Sequence, residues 1–131
     1  MKIKGIDGKL YNLDVRQSAH LKRTEAACKS KIQFAVGELI RERFPTDILL
    51  EEISLPGSGS LYLDFLLPSR RLAFEIQGQQ HDKFIPFFHK TPQGFKDSQK
   101  RDSAKAEWCA INNIELFYIS SLEEAKKILG I

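Results

Sequence analysis

Residues 61–81 constrain this chain most: LYLDFLLPSRRLAFEIQGQQH. Two short apolar runs, Leu61 to Leu67 and Leu72 to Gln77, flank the breaker Pro68-Ser69-Arg70-Arg71. Each run alternates with period 2, which is the pattern of a strand, so together they predict a β-hairpin. If Leu67 pairs with Leu72, Phe65 faces Phe74 and Leu63 faces Ile76 on one apolar face. The same register sets Asp64 opposite Glu75 and Tyr62 opposite Gln77 on the other. Directly opposed side chains have Cβ atoms roughly 4.5–5.5 Å apart. Two like charges that close repel unless something compensates. A divalent cation does so, because Mg²⁺ takes a few carboxylate oxygens together with water and phosphate. The plainer alternative is a polar solvent face on an amphipathic hairpin.

The rest of the chain gives this hairpin a setting. Asp7-Gly8 is a hairpin turn signal, so residues 1–15 predict a small N-terminal hairpin. Residues 16–23 form a basic connector. Residues 24–44 read as one helix, with Thr24 at its N-cap, Ile32, Val36, Leu39, Ile40 and Phe44 on its buried stripe, and Pro45 at its end. Gln33, Glu38 and Glu42 are its polar candidates for approaching a sheet. Residues 48–55 predict a strand that joins the hairpin as a three-stranded antiparallel meander. Glu51 and Glu52 are expected on opposite faces of it. Residues 78–93 are broken by Gly78, Pro86 and Pro92 and mix Phe84, Phe87 and Phe88 with His81, Lys83, His89 and Lys90, a combination suited to phosphate contact and base stacking. Anchoring of the phenylalanines on the core is the competing reading. Residues 94–112 predict a second helix with apolar Phe95, Ala104, Trp108 and Ile111. It carries the densest basic cluster of the chain, Lys96, Lys100, Arg101 and Lys105. An apolar strand follows at 114–119, expected to be central and to pair parallel with an earlier strand. Ser121 and Glu124 form a capping box for a last helix, Leu122 to Leu129, with Gly130 at its C-terminal end.

The predicted architecture is one α/β domain over 1–131, of the α+β type with a mixed sheet. It consists of an N-terminal hairpin (1–15) and a core (24–129) in the order helix, three-strand meander, helix, strand, helix. A length of 131 residues is enough for one real core. The net charge of +3, from 20 basic and 17 acidic residues, permits nucleic-acid binding without requiring it. No run approaches the roughly 20 apolar residues of a membrane span, and the charged start MKIKGIDGK is unlike a signal peptide. Cys28 and Cys109 are expected as reduced thiols of a cytoplasmic protein.

The set Asp64, Glu75-Ile76-Gln77, Gly78-Gln79-Gln80-His81, Arg101-Asp102 and Lys105, with a strand after Asn112-Asn113, resembles the PD-(D/E)xK nuclease superfamily. It is similar to the branch that contains very short patch repair endonucleases and the E-D-x-H-D homing endonucleases common in phage genomes. The resemblance covers about residues 30 to 120 and implies a restriction-endonuclease-like core. It also implies Mg²⁺- or Mn²⁺-dependent hydrolysis of DNA phosphodiesters, in a bacterial or phage-infected cell. On that likeness Asp64 and Glu75 hold the metal, and Gln77, His81 and Asp102 complete the catalytic set. His81, with an ordinary pKa of about 6.5, suits a proton carrier. Gln77 stands where lysine is usual, so Lys105 or Lys100 is the expected source of the missing charge. Gln33 or Glu38 corresponds to the branch's helix-one glutamate. Lys83, Lys90, Lys96, Lys100, Arg101 and Lys105 are the expected phosphate contacts. A homodimer is compatible with double-strand cutting. The alternatives are a catalytically silent DNA-binding domain of the same fold and a ribonuclease.

Overall fold

The computed structural model describes residues 1–15, 21–59, 61–77 and 92–131, with side chains along 92–111 from residue 100 onward. The elements are β1 (Lys2–Lys4), β2 (Leu10–Asn12), α1 (Lys31–Arg43), β3 (Leu50–Ser54), β4 (Tyr62–Leu67), β5 (Leu72–Ile76), α2 (Pro92–Ile111), β6 (Glu115–Ile119) and α3 (Leu122–Leu129). The protein is thus a mixed α/β chain around a four-stranded sheet in the order β3-β4-β5-β6, beside a separate two-stranded β1-β2 sheet.

The central hairpin has the register expected of it: Leu67 pairs with Leu72, Leu66 with Ala73 and Phe65 with Phe74. β3 completes the antiparallel meander, and β6 runs parallel to β5 with Glu75 beside Tyr118. Two expectations fail here. Among the described residues β6 is an edge strand, not a central one; its apolar run reflects cover on both faces, with Leu116 packed on one cluster and Phe117 and Ile119 on the other. Leu63 does not continue the face of Phe65, because it packs with the opposite cluster. The β4-β5 ladder stops at Phe65↔Phe74, since Asp64 Oδ2 accepts from the Ile76 amide (2.8 Å) in place of a backbone carbonyl. In β3 the residue across from Asp64 is Glu52, held at φ 54°, so alternation is broken on both strands at this level.

Each sheet face has its own core. On one, Val36 and Ile40 of α1, its C-cap Phe44, and Ala125 and Leu129 of α3 pack on Phe65, Leu67, Phe74 and Ile119. Phe74 stacks on Phe117 with centroids 5.6 Å apart. Gly37 lets α1 approach, because a Cβ there would stand 3.0 Å from the Phe65 ring. On the other face, Trp108 and Cys109 of α2 cover Leu50, Leu66 and Ala73, with Ile3 and Leu13 of the N-terminal segment sealing the end. Ile111, expected to be apolar cover, is 37% exposed.

The N-terminal hairpin is fastened to this second core. The Ile6 amide donates to Gly57 O (3.0 Å). The Asn112 side chain imitates a strand neighbour, accepting from the Lys4 amide (2.7 Å) and donating to its carbonyl (2.9 Å). Gly5 and Gly57 touch backbone to backbone, and a Cβ on Gly57 would lie 2.5 Å from Gly5 Cα.

Helix boundaries follow the caps. α1 begins after Ser30, whose hydroxyl accepts from Gln33 N (3.2 Å), and not after Thr24. Residues 25–29, Cys28 included, form turns before it. α2 starts at Pro92, two residues earlier than expected, in keeping with the suitability of proline's fixed φ for a first helical turn. α3 matches its expected bounds, with Ser121 as N-cap and Gly130 in the left-handed conformation. Cys28 and Cys109 are free thiols.

Candidate active site

Asp64 and Glu75 meet where the central ladder opens. Both project toward α2, whose residues 101, 102 and 105 face them. A polar cleft of about 240 Å³ is lined here by Asp64, Glu75, Ile76, Gln77, Arg101, Asp102, Lys105 and Lys29. Glu75 is only 5% exposed, while Asp64 is half-buried. The Lys105 ammonium lies 2.9 Å from Glu75 Oε1. Oε1 is otherwise buried among the described residues, so this ion pair is its compensation there. A buried carboxyl so placed is costly unless it is paired or protonated. Burial pushes the Glu75 carboxyl up to about 9, helped by its hydrogen bond and charge interaction with Asp64 and opposed by Lys105. A carboxylate so perturbed within a polar cleft is a recognised mark of a functional site.

Around this pair, Gln77 donates from Nε2 toward Asp102 Oδ2 at 3.5 Å, a long contact, while its backbone amide is tied to Ile119 O (2.8 Å). Tyr118, beside Glu75 in the β5-β6 register, has its phenol pushed up by burial and by the charges of Asp102 and Glu75. Cys109, buried beneath the cleft, has its thiol pushed up to about 12 by burial, with Glu75 adding to the shift and Lys105 opposing it.

The cleft therefore brings together Asp64, Glu75, Gln77, Asp102, Arg101 and Lys105 of the residues singled out from sequence. It excludes both helix-one candidates. Glu38 is exposed and paired with Lys22 (2.5 Å). Gln33 is buried, and its Nε2 donates to Glu51 Oε2 (2.8 Å) and Glu52 Oε1 (3.1 Å). Both glutamates thus reach one amide, contrary to the opposite faces expected of them, because the left-handed backbone at Glu52 interrupts the pleat. Lys100 is exposed on α2 and does not line the cleft. His81, Lys83 and Lys90, with Phe84, Phe87, Phe88 and His89, lie outside the described residues, as does the Lys96 side chain.

Lys29 and Tyr118 were missed from sequence. Tyr118 follows only from the parallel register, and Lys29 from a turn that local pattern assigned to a helix.

The donor set fits a hard cation of low protein-ligand demand. Among the described residues no three of His, Cys, Asp and Glu cluster to hold a metal. Two carboxyl groups on one cleft, Asp64 and Glu75, match in number the one or two that Mg²⁺ takes when water and phosphate supply the remainder, with the Lys105 ammonium now beside Glu75 Oε1.

Over 106 residues, 72% of this chain, the sequence is 31% identical to uncharacterized protein 307L of Invertebrate iridescent virus 6. The chain spans about half the length of that curated relative, 54%. No family model and no solved structure matches the chain. No helix among the described residues is long and apolar enough to cross a membrane.

Proposed function

We propose that the chain is a metal-dependent endonuclease of restriction-endonuclease-like fold that hydrolyses DNA phosphodiesters, in a repair, homing or phage-type role within the cytoplasm. The observation that carries this reading is the buried Glu75 beside Asp64, its Oε1 met by Lys105, at the floor of a polar cleft that Lys29, Arg101 and Asp102 also line. Asp64 and Glu75 would hold Mg²⁺ or Mn²⁺. Bound there, such an ion lowers the pKa of water and polarises a phosphate. The chain's own residues do the rest. Lys105, rather than Lys100, supplies the positive charge that Gln77 lacks, because its ammonium sits at Glu75. Gln77 and Asp102 hold a polar wall at which water is oriented. Arg101 offers a planar donor fork suited to phosphate oxygens. His81 is the proposed proton carrier, and the basic residues 83, 90 and 96 the proposed outer phosphate contacts.

One observation favours a second reading. Lys105 already neutralises Glu75 to a degree, so the same pocket serves as a cation-free, catalytically silent DNA-binding surface if Lys105 stands in place of the metal. Plasmid nicking with and without Mg²⁺ or Mn²⁺, alongside calorimetry of Mn²⁺ binding, separates the two. The nuclease reading expects metal-dependent nicking that Asp64→Ala abolishes. DNA binding with no cleavage of duplex, mismatched, branched or single-stranded DNA, and no Mn²⁺ heat, leaves the silent domain. Cleavage of RNA with DNA untouched would assign a ribonuclease.

A further inference from the structure

Lys29 enters the cleft from a part of the fold unrelated to α2. It lies on the turns between residues 23 and 30, a segment without regular structure. A long side chain on such a segment is ordinarily poorly placed. Here the segment is pinned. The Lys22 amide donates to Leu49 O (3.0 Å), and Leu21 bridges Leu50. Beyond that, the buried Glu51 holds it at two points: Oε1 accepts from the Arg23 amide (2.8 Å) and Oε2 from the Cys28 thiol (3.1 Å), while Gln33 Nε2 of α1 also donates to Oε2 (2.8 Å). A buried carboxylate is expensive unless its oxygens are satisfied, and an apolar side chain would fill the same space at lower cost. What the carboxylate adds is a fixed path for residues 23–28, and so a fixed origin for Lys29.

The charges of the cleft say what Lys29 is for. Among the described residues, the acidic groups Asp64, Glu75 and Asp102 of the cleft stand beside the cations Lys29, Arg101 and Lys105. Lys105 is engaged with Glu75. A divalent ion between the carboxylates adds two positive charges and leaves a cleft that favours an anion.

We propose that Lys29 is a substrate-binding residue that contacts a nucleic-acid backbone phosphate at this cleft, and that Glu51 is the positioning residue that holds it there. This rests on the nuclease reading of the same cleft. The probe is a short fluorescent DNA duplex, its affinity measured by anisotropy over a salt series with Ca²⁺ in place of Mg²⁺, together with steady-state nicking in Mg²⁺. Lys29→Ala should weaken binding about five- to tenfold at ~0.1 M salt and reduce the salt slope by about one, raising KM far more than it lowers kcat. Lys29→Arg should restore affinity to within about twofold. Lys126→Ala, which removes an exposed charge on α3, should change neither. Glu51→Gln should reproduce part of the Lys29→Ala loss, and the double variant should bind no worse than Lys29→Ala alone, since both act through one contact. Wild-type affinity and slope in Lys29→Ala overturn the assignment of Lys29 and leave the nuclease reading standing; additive losses overturn the role of Glu51. If the unaltered protein neither binds nor cuts DNA, both readings fall. Should Glu51→Gln not fold by circular dichroism, a Lys29→Ala loss that Lys29→Arg does not restore would itself overturn the proposal.

Discussion

Glu51 and Glu75 are both buried in the sheet, at 1% and 5% exposure, yet they sit in opposite circumstances. Glu51 faces α1 and receives a backbone amide, a thiol and a side-chain amide. Its neighbours are neutral donors, so its oxygens are satisfied in place. Glu75 faces α2 beside a second carboxyl, has the Lys105 ammonium 2.9 Å from Oε1, and has its carboxyl pushed far above the ordinary range. Carboxyl burial is common to both, and what separates them is the partners the fold supplies. Neutral donors make Glu51 a structural tie. A second carboxyl and an ammonium leave Glu75 perturbed, and the proposed metal binding rests on that difference.

The largest effect that tests this contrast is on cleavage. Glu75→Gln should reduce the proposed nicking at least about 100-fold, read on supercoiled plasmid, while the protein keeps its circular-dichroism spectrum. Retained activity would move the reaction away from the pair. Glu51→Ala should do the reverse, costing about 2–4 kcal/mol of stability in urea titrations through its stranded donors. A cost near that of a surface substitution would show that the tie is not structural.

A pH series sharpens the comparison. The Glu75 carboxyl binds its proton more tightly folded than unfolded, because its pKa rises from 4.5 to about 9. The stability this lends is fully present below the unfolded pKa and is lost as pH rises toward the folded one. Metal-free protein should therefore become less stable as pH rises between those values, and Glu75→Gln should flatten the slope. An unchanged slope in that variant would assign the pH dependence elsewhere. The smallest effect is Cys28→Ala, which removes only a weak donor from Glu51. It should cost about 0.5–1 kcal/mol in the same titration. Burial and Glu51 both push that thiol up, so it should also alkylate slowly at neutral pH.

Much of the frame was legible in the sequence because it rests on local rules. Alternation around Pro68–Arg71 gave the Leu67–Leu72 register and hence the Asp64–Glu75 neighbourhood, and Ser121 and Gly130 bounded α3. What escaped depends on partners distant in the chain. Thr24 and Ser30 are both competent caps, and the choice between them follows from the tertiary hold of Glu51 on residues 23 and 28. The break in alternation at Asp64 requires a side chain to replace a carbonyl and a left-handed Glu52 across from it, neither of which period-2 counting can anticipate. The edge position of β6 is invisible to composition, because an edge strand covered on both faces is as apolar as a central one.

The Asn112 clasp on Lys4 carries a consequence for how the chain is made. Its two hydrogen bonds join residues 108 positions apart. On a ribosome adding about 5–20 residues per second, β1 and β2 wait roughly 5–20 s for their seat to be synthesised. Over that interval Ile3 and Leu13 have the earlier part of their core to cover, Leu50, Ile53, Leu55, Leu63, Leu66 and Ala73, and Ile6 has Gly57 to bond, but not Trp108 and Cys109. Loop-closure entropy grows only slowly with length, so what the late residues add is the Trp108 cover and the Asn112 clasp. A nascent chain arrested before Asn112 should present the hairpin to chaperones and proteases.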